Sequence, residues 1–182
     1  WINGHVAATM DGDTKKKVVP ELMPRALYFF RWGAAWTWVT GMVLLLLVYW
    51  MQMNDSMFRE LGIGEEASKF KHAAYLIPFI MVFVYDAFYK SSLAKNTRVA
   101  TITSFMGIAG VLCLLICVSE MTSYRAYNIH LGTMFGSMMA FNVWYRIWPA
   151  QQRIITAIKN GDAPNPADAG MAGLRSKHNT YM

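Results

Sequence analysis

Residues 129–158 read IHLGTMFGSMMAFNVWYRIWPAQQRIITAI, and this stretch decides the fold. Its first part, residues 129–145, contains no fixed charge, and His130 and Asn142 are its only strongly polar side chains. At ~1.5 Å per residue this part is ~26 Å long, and the flanking residues extend it to the thickness of a bilayer. The stretch therefore predicts a membrane-spanning helix that ends in the aromatic and basic residues typical of the lipid headgroup region.

Three further apolar runs predict spanning helices. Residues 32–53 and 99–119 carry no charged side chain, and residues 73–89 contain one acid, Asp86. This acid is either a functional carboxylate inside the membrane or the partner of Lys90, one helical turn further on, in an interfacial ion pair. We favour the ion pair because Asp86 lies near the end of its run. The predicted fold is thus an all-α bundle of four transmembrane helices.

The segment after the fourth run has a different character. Residues 150–159 place three isoleucines on one side and polar residues elsewhere, which predicts a short amphipathic helix on the membrane surface. Asn160-Gly161 is a typical helix stop, and residues 163–170, with two prolines, predict a loop. The predicted domains are a cytoplasmic or interfacial flank (1–31), a four-helix membrane domain (32–148), and a cytoplasmic interfacial helix with a tail (149–182).

The basic residues allow a check of the four-span arrangement. If every run crosses the membrane, all but four of the 17 Lys and Arg residues lie on one side. That side holds Lys15, Lys16, Lys17, Arg25, Arg31, Lys90, Lys95, Arg98, Arg146, Arg153, Lys159, Arg175 and Lys177, and the other side holds Arg59, Lys69, Lys71 and Arg125. Because cytoplasmic loops carry the excess of positive charge, both ends of the sequence are predicted to lie in the cytoplasm.

The composition favours a membrane protein and excludes several other classes. Hydrophobic residues make up 55% of the chain and the mean hydropathy is +0.25, so the bilayer is an expected partner. The net charge of +6 does not indicate nucleic-acid binding, because the basic residues are dispersed between apolar runs. Cys113 and Cys117 lie one helical turn apart and are expected to be buried thiols. Without a CxxCH motif the chain has no covalent c-type haem site, and it also lacks a phosphate loop and an HExxH motif.

Small residues recur at four-residue spacing on two of the predicted helices. The rows are Gly33, Thr37 and Gly41 on the first helix, and Gly132, Gly136 and Ala140 on the fourth. Residues four apart share one helix face, and a row of small side chains lets another helix approach closely. We therefore expect the four glycines to be helix-packing positions, against helices of this chain or of a larger complex.

Four segments carry a resemblance to a known family: IHLGTMFGSMMAFNVWYRIWPAQQRII (129–155), RSKHNTYM (175–182), MPRALYFFRWGAAWTWVTG (23–41) and KSSLAKN (90–96). Together they resemble the membrane domain of the bacterial cytochrome-c-linked urate oxidases, also called urate hydroxylases. The similarity runs over most of the chain, and its last third is the most specific part. The resemblance implies an oxidoreductase of the bacterial inner membrane that oxidises urate and passes electrons to cytochrome c. It also implies a longer protein with further membrane helices and a C-terminal cytochrome c domain.

The resemblance makes His130, Arg146 and His178 the catalytic candidates. Cationic and amide side chains surround His178 in RSKHNTYM, and such donors are what an anionic purine requires. The alternative is a basic juxtamembrane patch that contacts phospholipid. Arg146 either binds substrate or extends to the headgroups, and Asn142, one turn away, either binds substrate or links helices.

Two histidines predict a cofactor site. In the four-span arrangement His72 and His130 each begin a helix on the outer side, so they would lie at a similar depth. Such a pair suits the axial ligands of a b-type haem or a metal pair, and we predict no separate metal site. The alternative is that each is a hydrated histidine at the membrane interface.

Two functional hypotheses stand side by side. The first is the membrane domain of a urate oxidase, and the second is a non-catalytic structural subunit of a larger respiratory or photosynthetic membrane complex. The small-residue rows and the missing redox motif favour the second. A transporter or channel is a third hypothesis, but it would need more polar and broken-helix positions than Asp86, Asn142 and Pro78 supply.

The four-span arrangement makes a direct prediction about sidedness. Lys95 should lie in the cytoplasm and Glu65 outside it, since one predicted helix separates them. Single cysteines at the two positions, in a variant whose native cysteines are replaced by alanine, should react with an impermeant thiol reagent from opposite sides of sealed vesicles. Labelling of both positions from the same side would contradict the arrangement.

Overall fold

The computed structural model describes residues 9–51, 73–118 and 124–182. These residues form helices joined by short turns and include no strand, which confirms the all-α prediction. The predicted polar loop 54–72, with His72, lies outside the described residues.

The described residues contain six α-helices, three of which continue into wider π-helical turns. The α-helices are α1 (Gly12–Leu44), α2 (Ala73–Lys90), α3 (Thr97–Cys113), α4 (Tyr124–Phe141), α5 (Trp148–Asn160) and α6 (Pro166–Tyr181). The π-helical turns are Leu45–Trp50 after α1, Leu114–Val118 after α3 and Asn142–Ile147 after α4. A helix therefore lies at each predicted span and at the predicted surface segment.

Two of the helical segments described, Gly12–Trp50 and Thr97–Cys117, are long and apolar enough to cross a membrane. The four-span arrangement stays a prediction.

The first helix is longer than the sequence pattern indicated. α1 begins at Gly12, inside the predicted flank, and the side chain of Asp11 accepts a hydrogen bond from the Thr14 backbone N–H at 3.1 Å. A charge-free run marks only the part of a helix that suits lipid, so it does not reveal a polar extension such as residues 12–31. Pro20 and Pro24 lie inside this extension.

The sequence pattern does not predict the last helix, because the prolines around it indicate a loop. Asn165 caps α6 by accepting a hydrogen bond from the Ala167 backbone N–H at 2.9 Å, and Pro166 occupies the first turn, where its missing N–H costs nothing. The predicted stop of α5 is confirmed: Gly161 has φ 83°, a left-handed conformation that glycine adopts without strain. The loop between α5 and α6 therefore shrinks to residues 161–165.

The structure divides into two compact units. Unit 1 comprises Trp1–Thr37 and Met139–Met182, and unit 2 comprises Trp38–Met138. Among the described residues of unit 1, the apolar core consists of Val143, Ile147, Ala150 and Ala172. In unit 2 it includes Leu45, Val82, Tyr85, Ala100, Val111, Leu115, Ala126, Met134 and Met138.

The small-residue rows face away from the packed surfaces of the described chain. A Cβ atom added at Gly33, Gly41, Gly132 or Gly136 would meet no atom of the described residues within 4 Å. Helix packing at these glycines stays a prediction, and it would concern partners other than the described residues.

Two predictions about single side chains have clear outcomes. The Asp86–Lys90 ion pair is confirmed, with 2.9 Å between Oδ2 and Nζ, and Asp86 is buried. The burial of Cys113 and Cys117 is wrong, since both thiols are exposed. The spacing placed them on one helix face, but it could not tell which face the chain buries.

The capping of α6 gives a prediction about stability. Asn165→Ala removes the acceptor of the Ala167 N–H and should lower the free energy of unfolding by about 0.5–2 kcal/mol. Thermal unfolding in detergent measures this effect. Asn160→Ala, at the exposed last residue of α5, is the matched control and should change stability much less; equal effects would show that the Asn165 cap is unimportant.

Candidate functional site

Unit 1 contains a buried polar cluster where the π-helical turn Asn142–Ile147 meets α6. Asn142 is 0% exposed and Arg175 is 2% exposed. The Asn142 Nδ2 donates to Asn179 Oδ1 at 2.9 Å, and the Asn179 Nδ2 donates to the Met139 backbone carbonyl at 3.1 Å. The two amides therefore join α6 to the end of α4 through successive hydrogen bonds.

The spacing of residues on α6 explains which side chains enter the cluster. Arg175, His178 and Asn179 follow one another at intervals of three and one, so they share a helix face. Lys177 points elsewhere and is exposed. The segment RSKHNTYM is thus divided: its arginine, histidine and asparagine turn inward, while its lysine remains at the surface.

His178, like Asn179, is half-buried, so it lies towards the edge of the cluster. Burial lowers the pKa of His178 below the ordinary histidine value, and the positive charge of Arg175 lowers this pKa further. The imidazole is therefore held neutral at pH 7, and a neutral imidazole can accept a proton.

A salt bridge between Arg153 and Asp168 fixes α6 against α5. The Arg153 Nε donates to Asp168 Oδ2 at 3.0 Å, and the Arg153 Nη2 donates to Oδ1 of the same carboxylate. The guanidinium lowers the pKa of Asp168, because its hydrogen bonds favour the ionised form. This bidentate pair and the amide contacts both orient the helix that carries Arg175.

Arg31 lies in an aromatic box that sequence analysis did not identify. Its guanidinium carbon is 4.2 Å from the ring centroid of Trp148 and 4.8 Å from that of Trp144. Trp32 packs edge-on against Trp144, with 5.5 Å between centroids. Tryptophans near basic residues were visible in the sequence as an interface signal, but their approach from the π-helical turn and the start of α5 to Arg31 on α1 was not.

His130 belongs to unit 2, where it is fully buried on α4. Its Nδ1 lies 2.8 Å from the Ala126 carbonyl, and its Nε2 lies 3.4 Å from the indole Nε1 of Trp50. A carbonyl can only accept, so Nδ1 carries the proton and Nε2 accepts from the indole N–H. Two helical turns further along the same face of α4, the Trp38 indole N–H donates to Ser137 Oγ at 2.9 Å.

The described residues do not form a pair of axial haem ligands. Both ring nitrogens of His130 are hydrogen-bonded, so ligation through Nε2 would have to displace Trp50. No group of three or more His, Cys, Asp or Glu side chains suited to a metal occurs in the part of the chain that the structure describes. Haem ligation by His72 and His130 therefore stays a prediction.

Arg146 is half-buried, with its guanidinium carbon 5.6 Å from the Phe141 ring centroid.

The fold and the cluster define an all-α protein with helices of membrane-spanning length and a buried group of amide, guanidinium and imidazole side chains. The model of the family described as Urate oxidase N-terminal matches residues 11–182. The chain belongs to this family. Comparisons with curated proteins and with solved structures gave no match.

The lowered pKa of His178 predicts how stability changes with pH. Because the folded state binds the proton more weakly than the unfolded chain, this contribution is fully present above the ordinary histidine pKa of about 6.5 and is lost as the pH falls below it. Replacing His178 by Gln should therefore make the unfolding midpoint less sensitive to acid. Thermal unfolding of both proteins between about pH 5 and 8 measures the difference.

Because the other histidines are present in both proteins, their titration contributes equally to the pH dependence of both and drops out of the difference. Identical acid sensitivity in the parent and the His178→Gln variant would contradict the burial of a neutral imidazole at this position.

Proposed function

We propose that this chain is the membrane-embedded domain of a urate oxidase that passes electrons to cytochrome c, and that the cluster of Asn142, Arg175, His178 and Asn179 binds urate. The family match carries the proposal, because it extends over residues 11–182 and therefore includes every member of the cluster. Arg146 and His130 are further candidates in the same reaction.

The exposed apolar surface supports a membrane location. In the most apolar stretch of Gly12–Trp50 only 6% of the residues are buried, and in that of Thr97–Cys117 only 17% are. The core helix of a water-soluble protein is, by contrast, mostly buried. Large side chains such as Phe29, Phe83 and Phe105 are at least two-thirds exposed. Apolar surface is unfavourable in water by roughly 25 cal/mol per Å², and lipid removes this cost. The charge distribution favours a multi-pass arrangement in a bacterial inner membrane with a basic cytoplasmic side.

The chemistry of the cluster suits urate. Urate is a planar anion with carbonyl and N–H groups, so it pairs with a guanidinium and with amides that both donate and accept. Arg175 supplies the positive charge, the asparagines supply the amides, and His178, at the edge of the cluster, supplies a neutral base. Arg175 is buried, so its surroundings have a low dielectric constant. Its positive charge would therefore attract an incoming anion more strongly than it would in water.

The proposed reaction balances with water and cytochrome c as the other reactants. A water oxygen forms a C–O bond to the purine, and the purine loses two electrons while two protons are released. Two ferric cytochrome c molecules each accept one electron. Of the described residues, His178 is best suited to accept one of the protons, since its ring is neutral and belongs to the cluster.

Replacing Arg175 by Gln tests the proposed substrate site. The loss of a charged hydrogen-bonding partner should weaken urate binding by about tenfold or more, since such bonds contribute roughly 1.5–3 kcal/mol. Calorimetric titration of the detergent-purified protein measures binding, and circular dichroism confirms that the variant is folded. Lys177→Gln removes an exposed cation two residues away and should bind urate like the parent; equal loss in both variants would contradict the site.

Measurements of turnover test the proposed catalysis separately from urate binding. Urate-dependent reduction of ferric cytochrome c by membranes that contain the chain should be lost in His178→Ala and lowered in Arg146→Gln. If His130 holds a haem, the purified protein shows a haem absorption spectrum that His130→Ala removes.

A second candidate function is a structural subunit of a larger respiratory or photosynthetic membrane complex. The open glycine rows favour it, because Gly33, Gly41, Gly132 and Gly136 have no close neighbour among the described residues. Purification of the chain in fixed stoichiometry with a larger complex, without urate turnover, would support this function over the first.

A further inference from the structure

A cavity of about 510 Å³ lies in unit 1 between the start of α1 and α5, away from the polar cluster. Its volume is within the roughly 300–1,000 Å³ range of ligand pockets. Its apolar lining consists mainly of Val19, Met23, Ile154, Ile155 and Ile158. These side chains are all half-buried, so the cavity is an open apolar groove.

Helix periodicity explains why the groove is continuous. Val19 and Met23 are four residues apart on α1, and Lys15 precedes them in the same row. The three isoleucines of α5 occupy positions i, i+1 and i+4, which form one side of a helix. The predicted amphipathic face of α5 therefore has a defined position in the structure: it forms one wall of the groove.

The charged side chains of the groove are mainly cationic. Lys15 and Lys16 line it from α1, and Asp162 is the one acid among its lining residues. Lys17, the third member of the same charge run, does not line it. A mostly apolar wall with a net positive charge is complementary to an amphiphile with an acyl chain and an anionic head.

We propose that this groove binds one anionic phospholipid, with an acyl chain between α1 and α5 and the headgroup at Lys15 and Lys16. Cationic side chains at a membrane surface attract anionic lipid, and an apolar wall holds a chain. The inference rests on the proposed membrane location but not on urate oxidation, so lipid binding and urate turnover can fail independently. A second copy of the chain is a poorer occupant, because its own basic surface would meet the same lysines.

Lipid titration of the full chain tests the proposal. The protein, purified in a neutral detergent, is mixed with phosphatidylglycerol or with phosphatidylcholine of the same acyl chains, and bound lipid is counted by native mass spectrometry. We expect one retained phosphatidylglycerol and a clear preference over phosphatidylcholine. The Lys15→Gln, Lys16→Gln double variant should lose this preference, by about fivefold for each lysine, while Lys17→Gln should keep it.

A second pair of variants tests the apolar wall. Ala169 lines the groove and is exposed, so Ala169→Phe should fill the space and weaken binding of both lipids without disturbing the core. Ala167→Phe, exposed on the same helix but outside the groove, should have no such effect.

Several results would overturn the assignment. They are a preference for phosphatidylglycerol that survives the double lysine variant, equal binding of both lipids by the parent, and tighter binding of oleate than of phosphatidylglycerol, which would indicate a free fatty acid. A dimer that Ala169→Phe dissociates, without bound lipid, would instead assign the groove to a second copy.

Discussion

The burial of polar groups at the end of α4 is the constraint on which the arrangement of unit 1 depends. Asn142 and Arg175 are almost completely removed from solvent, and a buried polar group without a partner costs roughly 1–3 kcal/mol. The docking of α6 supplies one of these groups with a partner, because it places Asn179 Oδ1 2.9 Å from the Asn142 Nδ2. Small side chains at Ala150 and Ala172 let the helices approach closely enough for the amides to meet.

The sequence was a good guide to where helices lie and a poorer guide to where they end. Apolar runs with at most one charged residue located α1 to α4, because such runs suit lipid and exclude loops. The same criterion could not detect residues 12–31 as helix, since their polar side chains resemble those of a flank. α6 was missed because Pro166 indicates a loop when read alone and a helix start when read together with the preceding Asn165.

The members of the candidate site could be named from the sequence, but their assembly could not. Asn142 stood out as a polar residue inside an apolar run, and Arg175, His178 and Asn179 belong to the segment RSKHNTYM, which carries the family resemblance. Periodicity relates residues within one helix, whereas the pairing of Asn142 with Asn179 depends on how two separate helices dock. The box of tryptophans around Arg31 was missed for the same reason.

The small residues and the polar residues of α4 lie on different faces of the helix. Gly132 and Gly136 are exposed, while His130, Thr133 and Ser137 are buried. The indoles of Trp38 and Trp50 reach Ser137 and His130 through hydrogen bonds. Unit 2 thus uses polar contacts on the face of α4 that its own helices cover.

The π-helical turn after α4 makes this part of the chain tolerant of a change in length. A π turn closes i to i+5 hydrogen bonds and holds one more residue than the α-helical turn it replaces. Deleting one residue within Asn142–Ile147 would therefore convert the turn to ordinary winding and leave Trp148, Ala150 and the isoleucines of α5 facing nearly their present directions. A deletion inside α5 itself would instead rotate everything beyond it by about 100°, so relatives of this chain should tolerate a one-residue gap in the turn more readily than one inside α5.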